Sequence, residues 1–392
     1  MMAERCRGVF VRTVAWSVAL SVPLLGAGCD NSEEPSPSTD SLTPAAPDSF
    51  VTPAGRRYVK VKKAVFAPAR ETVEANAAQV AQETTGANGE RTLSYPPSTP
   101  VDLRSLSVTE LATQLRGRTL RDGYEYQEAD LPMELAATVL KSLSSDAAAP
   151  STAGSKPVAA AIDTAAATGS TDRYIIGSDD RTYQGSDRGW PNSTQLFSNG
   201  NGCSATLIGS RVAATAAHCV YNNGTWSTPS SLIPAADNGG NPSPYGAFSW
   251  STISVPGGWT GSQWDLDYAV ITFGTRVGDT TGWIGTLDTS SGTMRMVGYP
   301  GDKPTPQMWG KNGSVTSTSS GRRKHNLDII PGDSGAGLYT QSGVQLTGIQ
   351  STQNWSQTCF LWICGSKSYW NEATRWNSTT YNFFASTGVW PD

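Results

Sequence analysis

Gly332-Asp333-Ser334-Gly335-Ala336-Gly337 sets one serine among glycines near the end of a 392-residue chain, and the reading of this stretch decides the fold. A serine that attacks a carbonyl needs a general base beside it and two backbone N–H groups aimed at the oxygen that turns negative. Glycine meets the second need. Without side chains at Gly332 and Gly335 the loop can turn its amides toward a substrate at no steric cost. Gly, Asp and Ser also make ordinary turns, so the upstream sequence has to separate the two readings.

One of the two histidines, His218, stands beside a cysteine in Thr215-Ala216-Ala217-His218-Cys219. Imidazole takes a proton from a hydroxyl near neutral pH; the alternative is a structural histidine. A disulfide between Cys203 and Cys219 would pin the histidine's loop to the preceding strand and hold the ring in place. A buried carboxylate is then needed to fix the histidine tautomer. In Trp264-Asp265-Leu266-Asp267 followed by Tyr268-Ala269-Val270-Ile271, Asp267 leads straight into the apolar run and is expected to be buried. Asp265 is expected to be a solvated turn residue. His218 and His325 both precede Ser334, whereas α/β-hydrolases place the histidine last, which excludes that fold.

A formal charge of −4 and a pI near 5.4 give no reason to expect a nucleic acid partner. Residues 1–29 read as an export signal: Arg5, Arg7 and Arg12 precede an apolar run from Val14 to Leu25, then Gly26-Ala27-Gly28-Cys29. The run is too short for a permanent membrane span. Its end resembles a bacterial lipobox except at Gly26, where the motif prefers a large aliphatic residue. Plain secretion and a lipid on Cys29 at the cell envelope both stay open, and that lipid is the only membrane attachment expected. Of six cysteines, Cys6 and Cys29 belong to the signal, which leaves Cys203, Cys219, Cys359 and Cys364, an even set suited to two disulfides. No CxxC spacing favours a metal, and none is expected.

From Asp30 to about Thr52 the chain reads as a tether. Ser107 with Glu110 makes a capping box ahead of Leu111 and Leu115, and Asp130 with Pro132 starts a second helix through Leu135, Val139 and Leu143. Ser144 to Thr171 is a linker by composition. Beyond Asp172, Cys203–Ile208, Val212–Thr215, Tyr268–Phe273, Met294–Tyr299, Gly337–Tyr339 and Val344–Gln350 read as short strands between turns, hence an all-β domain. Thr379 to Ser386 reads as a helix.

TAAHC with its upstream cysteine, Asp267-Tyr268-Ala269-Val270 and GDSG resemble the chymotrypsin-like serine peptidases. Ile176-Gly177-Ser178-Asp179-Asp180-Arg181, Gly298 to Pro304 (GYPGDKP) and Asn371, Ala373, Thr374, Arg375 are similar to stretches of the bacterial glutamyl endopeptidase branch. The resemblance covers residues 174–392. It implies two six-stranded β-barrels with the site in the cleft between them, a C-terminal helix, and a zymogen cut after Arg173. Residues 30–173 would then be a propeptide and linker, acting as intramolecular inhibitor or folding chaperone. It further implies Ser334 as nucleophile, His218 as base and then acid, Asp267 as orienting carboxylate, and the Gly332 and Ser334 N–H groups as oxyanion hole. Asp333 would support the loop. The substrate would be a protein or peptide, with no cofactor. A catalytically silent relative that binds at the cell surface is the competing function.

Specificity is where the pattern departs. Relatives that cleave after glutamate carry Gly-Ile-His where this chain has Gly348-Ile349-Gln350, and Gln350 offers a hydrogen bond but no charge. Asp328 has the spacing of the carboxylate that binds Arg or Lys in trypsin-like enzymes, or is a structural aspartate. Arg322-Arg323-Lys324 is expected to be solvated surface, with His325 either near the pocket or on that loop. Cys359 and Cys364 enclose Phe360-Leu361-Trp362-Ile363, an apolar loop that borders the cleft or is stapled for stability.

Overall fold

The mostly small residues of Cys203–Leu207 and Val212–Thr215 form strands whose every residue is buried, because barrel interior and outer covering take one face each. In the computed structural model they belong to a ring of six: Trp250–Pro256, Ala269–Phe273, Val212–Thr215, Cys203–Leu207, Gln195–Asn199 and Ser231–Pro234 pair in that order. A bridge from Leu232 to Phe248, just ahead of Trp250, closes it. A second ring runs Gly337–Thr340, Thr293–Gly298, Trp309–Thr318, Arg322–His325, Ser368–Arg375 and Gln345–Phe360, and closes where the first and last of these six pair. The expected double six-stranded barrel is therefore observed. The structure describes residues 45–67, 82–85, 90–95, 102–145, 150–155, 175–289, 291–319, 321–360, 363–364 and 368–391. The export signal, Cys29, the cut after Arg173, Leu361 and Trp362 lie outside the described residues.

The C-terminal helix is Ser378–Ala385, capped by the Asn377 side chain, which accepts from the Thr380 amide at 3.0 Å. Phe383 and Phe384 bury against Tyr268, whose ring centroid is 5.4 Å from that of Phe383. Both expected helices upstream are present. Val108–Leu115 has the full capping box, with Glu110 accepting from the Ser107 amide at 2.8 Å. Met133–Ser144 begins later than expected: Pro132 takes the N-cap position, with its carbonyl accepting the first helical bond from Ala136, and Asp130 stays exposed.

Upstream strands were not expected, yet there are several. Ser49–Val51, Arg57–Lys63, Tyr124–Glu128 and Gly117–Arg121 form a sheet that continues into the first barrel by antiparallel pairing with Trp250–Pro256. Gln82–Thr85 and Glu90–Tyr95 extend the other barrel's sheet by pairing with Trp355–Phe360. Leu120 is fully buried in the same apolar cluster as Ile253, Val255 and Trp226. Truncating a buried leucine costs about 2–5 kcal/mol. Leu120→Ala should therefore lower the unfolding free energy obtained from urea denaturation by that amount. A change well below 1 kcal/mol would mean that the upstream sheet is no part of the barrel core.

Candidate active site

The strand Val212–Thr215 runs into a single turn, Ala217–Val220, which carries His218 on its outer side. The expected disulfide from Cys203 to Cys219 is present and ties this turn to the neighbouring strand. Asp267 follows the short turn Trp264–Leu266 and is fully buried. Its Oδ2 lies 2.8 Å from His218 Nδ1, and its Oδ1 accepts from the His218 amide at 2.9 Å. The Ser351 hydroxyl donates to Oδ2 at 2.5 Å. Burial alone would push this carboxyl up, but the His218 ring and the hydrogen bonds outweigh it and hold it below the usual carboxylate range. With Nδ1 directed at Asp267, the Nε2 edge of the ring is the one left to take a proton.

One sulfur lies between that edge and the serine loop. The Cys219 sulfur lies 3.8 Å from His218 Nε2 and 3.6 Å from the Ser334 carbonyl oxygen. Being half of a disulfide, this sulfur has no proton to give, so both are packing contacts. The Ser334 hydroxyl and His218 Nε2 are not hydrogen-bonded among the described contacts; such pairs are often loose before substrate binds. Gly332 and Gly335 have φ of +111° and +85°, and a Cβ at either would meet backbone at 2.4 Å and 2.2 Å, so both glycines are required. The Gly335 amide donates to the Gln350 carbonyl at 2.8 Å, and the Asp333 amide to Ile330 at 2.9 Å. The amides of Gly332 and Ser334 have no acceptor among the described residues.

Beneath this loop Asp333 is buried and accepts from the Ile330 amide at 2.9 Å; burial pushes its carboxyl up to about 7. Two stretches singled out in the sequence meet beside it. Arg181 reaches Asp179 at 2.9 Å and Asp302 at 2.6 Å, and Lys303 reaches Asp179 at 3.0 Å. The guanidinium also draws the Asp333 carboxyl down, against the burial that dominates.

The two specificity candidates are both occupied. Asp328 is buried, accepts from the Ile176 amide at 2.7 Å, and has the Lys311 ammonium 3.0 Å from its other oxygen. Gln350 is buried; its Oε1 lies 2.9 Å from His325 Nε2, and its amide nitrogen donates to the Glu372 carbonyl at 3.3 Å. His325 is itself buried, with no partner for Nδ1 among the described residues, and burial depresses its pKa to about 4. Cys359 is disulfide-bonded and stands directly across the ladder from Cys364, at the end of the strand bordered by Glu90–Tyr95.

Two expectations are corrected. Asp265 is not solvated but packed under Gly321, where an added Cβ would lie 2.6 Å from its Oδ1. Its carboxyl is raised by burial, tempered by Arg322. The basic run is not solvated either, because it forms a barrel strand with alternating faces. Arg322 donates to Ser351 Oγ at 2.9 Å, to Thr352 Oγ1 at 2.6 Å and to Glu372 at 3.1 Å. Arg323 is fully buried 3.4 Å from Asp288, and Lys324 sits 4.1 Å over the Trp370 ring. Arg322 thus holds the hydroxyl that holds Asp267, a role missed in the sequence; acidic partners for the run exist at Asp288 and Glu372, but only the strand register brings them together.

Residues 176–361 match the trypsin family model, and the chain carries a trypsin-like domain. It is 29% identical over 214 residues to the glutamyl endopeptidase of Bacillus licheniformis, an alignment covering 52% of this chain and 65% of that protein. It is likewise 29% identical over 180 residues to the extracellular metalloprotease of Bacillus subtilis, covering 42% of this chain and 57% of that one. The chain thus spans about three fifths of each relative's length. A solved Glu endopeptidase in complex with MPD aligns at 24% identity and a TM-score of 0.47, over 55% of this chain and 99% of that one.

A pH dependence follows from His325. Its folded pKa lies below the unfolded value of 6.5, so the unfolded chain binds the proton more readily. The stability it contributes is complete above pH 6.5 and is lost as pH falls toward 4, at up to about 1.4 kcal/mol per pH unit. Urea midpoints measured at both ends of this window should fall more steeply for the natural chain than for His325→Gln. Equal losses in the two proteins would place the titration elsewhere.

Proposed function

We propose that this chain is an exported serine endopeptidase, made as a zymogen, that works through an acyl-enzyme formed on Ser334. The observation that carries the reading is the His218 ring paired with the fully buried Asp267, beside a glycine loop whose Gly332 and Ser334 amides have no acceptor among the described residues. In this reading the Ser334 oxygen attacks the scissile carbonyl carbon while its proton passes to His218 Nε2. The carbonyl oxygen, now negative, is held by the Gly332 and Ser334 N–H groups. Collapse breaks the C–N bond, and the leaving amine takes the proton from His218. Water then repeats the sequence on the ester and releases the acid. Asp267 keeps the ring in the required tautomer and stabilises its cationic form.

Export is supported by the basic and apolar pattern of residues 1–29 and by the word extracellular in the name of the Bacillus subtilis relative. That relative is called a metalloprotease, which raises metal-assisted hydrolysis as a second reading. Among the described residues the one candidate donor cluster is Cys203, His218 and Cys219, and its two sulfurs are bonded to each other. The donor chemistry therefore favours the serine route. For specificity, Asp328 is already matched by the Ile176 amide and Lys311, which disfavours cleavage after Arg or Lys.

Processed protein should be labelled by a fluorophosphonate, and Ser334→Ala should abolish labelling; an unlabelled but folded protein would favour the silent surface-binding relative. Asp267→Asn should reduce kcat by about 10⁴-fold, while Asp265→Asn leaves it largely intact. The reverse pattern would reassign the carboxylate. Across peptides differing only at the residue before the scissile bond, Arg and Lys should be the poorest, and strict turnover after them would restore Asp328 as the recogniser.

A further inference from the structure

The segment upstream of the linker is built into the first barrel, not laid over it. Gly117–Arg121 pairs along Trp250–Pro256, and between these strands Thr119 Oγ1 and Ser254 Oγ are hydrogen-bonded at 2.8 Å in the interior. Leu120 and Ala64 contribute to the barrel's own apolar cluster. Trp226, on the short strand Thr225–Trp226 of a separate two-stranded sheet within the same apolar cluster, is fully buried and depends on the segment for its polar groups. Its indole N–H donates to Glu125 at 3.1 Å, its amide donates to Val65 at 2.8 Å, and its carbonyl accepts from Ala67 at 2.8 Å. Glu125 is balanced by Arg118 at 3.3 Å, whose guanidinium lies 4.7 Å over the Tyr221 ring.

Backbone approaches on the neighbouring loop are equally close. The Gly258 amide donates to the Gln114 carbonyl at 2.9 Å, and a Cβ on Gly257 would lie 2.4 Å from the Arg116 carbonyl oxygen. The first part of the linker is also fastened: Ser155 and Trp283 exchange two backbone bonds, each 2.9 Å, and Thr152 pairs with Thr286. Releasing the segment would open a barrel edge, orphan the Trp226 indole and expose Leu120 together. Each is costly in water, and an unpaired edge strand invites aggregation.

We propose that cutting the linker does not release this segment. Residues 46–155 remain as a strand-donating subunit, and the processed protein is a two-chain unit held by non-covalent contacts. The proposal rests on the zymogen reading above only for the occurrence of a cut. It treats the segment as a permanent wall of the barrel, so activation is a change of connectivity with the partner kept in place.

The test uses the full chain with the recognition sequence of a site-specific protease that cuts after its last residue substituted at residues 170–173, in a Ser334→Ala background so that self-digestion cannot remove either fragment. After complete cutting, size-exclusion chromatography at low micromolar concentration should return both fragments in one peak at the elution volume of the uncut protein. Separate elution of the N-terminal fragment without denaturant overturns the proposal. Adding Leu120→Ala should lower the urea concentration at which the fragments part; an unchanged value would mean that the strand contact does not hold them. The same cut in a chain retaining Ser334, followed by fluorophosphonate labelling, reports on the peptidase reading independently. Labelled but separated fragments defeat retention alone, and co-eluting fragments that never label defeat the peptidase reading alone.

Discussion

A carboxylate with no access to water survives only if donors surround it, and Asp267 is the place where this chain meets that demand. The donors come from two directions. His218, through its ring and its amide, belongs to the first barrel, as does Asp267 itself. Ser351 and Thr374, which bond the Asp267 side chain and carbonyl, belong to the second, and Arg322 of that barrel anchors Ser351 in turn. The barrels therefore meet around one buried charge. Neither can rotate against the other without leaving that charge short of a donor, so the interaction that holds the histidine also fixes how the two barrels meet.

The serine loop is held by a different device. Positive φ at Gly332 and Gly335 bends the backbone so tightly that it rests on Tyr299, Ser204 and Thr215. The Ser204 amide and hydroxyl grip the carbonyls of Ser334 and Gly332, both at 2.8 Å. Below, the ion cluster of Asp179, Arg181, Asp302 and Lys303 supplies a rigid floor. The Ile176 to Arg181 stretch and the loop around Asp302 are thus one construction with two ends in sequence.

Features governed by local sequence were legible. The short motifs around His218, Asp267 and Ser334, the capping box at Ser107, the helix after Asn377 and most barrel strands could be read because each is written within a few consecutive residues. What escaped depended on partners far along the chain. Arg322 and Arg323 read as solvated because nothing local reveals Ser351, Glu372 or Asp288 on adjoining strands. Asp265 read as exposed because the covering Gly321 lies in the other barrel. The upstream strands escaped for the same reason: Arg57–Lys63, rich in lysine, makes sense as a strand only beside Tyr124–Glu128. Gln350 and Asp328 looked like rival recognisers of substrate, and their engagement with His325 and Ile176 could not be foreseen from spacing.

The disulfide beside His218 has a consequence beyond clamping. One ligand atom from each of Cys203, His218 and Cys219 falls within 4.8 Å of the others. Two thiolates and an imidazole at that separation are the donor set that zinc and other soft divalent ions prefer. As long as the sulfurs are bonded to each other they cannot serve as ligands, and the imidazole stays open to protons. Oxidation thus keeps His218 out of metal chemistry, and in a reducing, zinc-containing solution the same three side chains would compete for it.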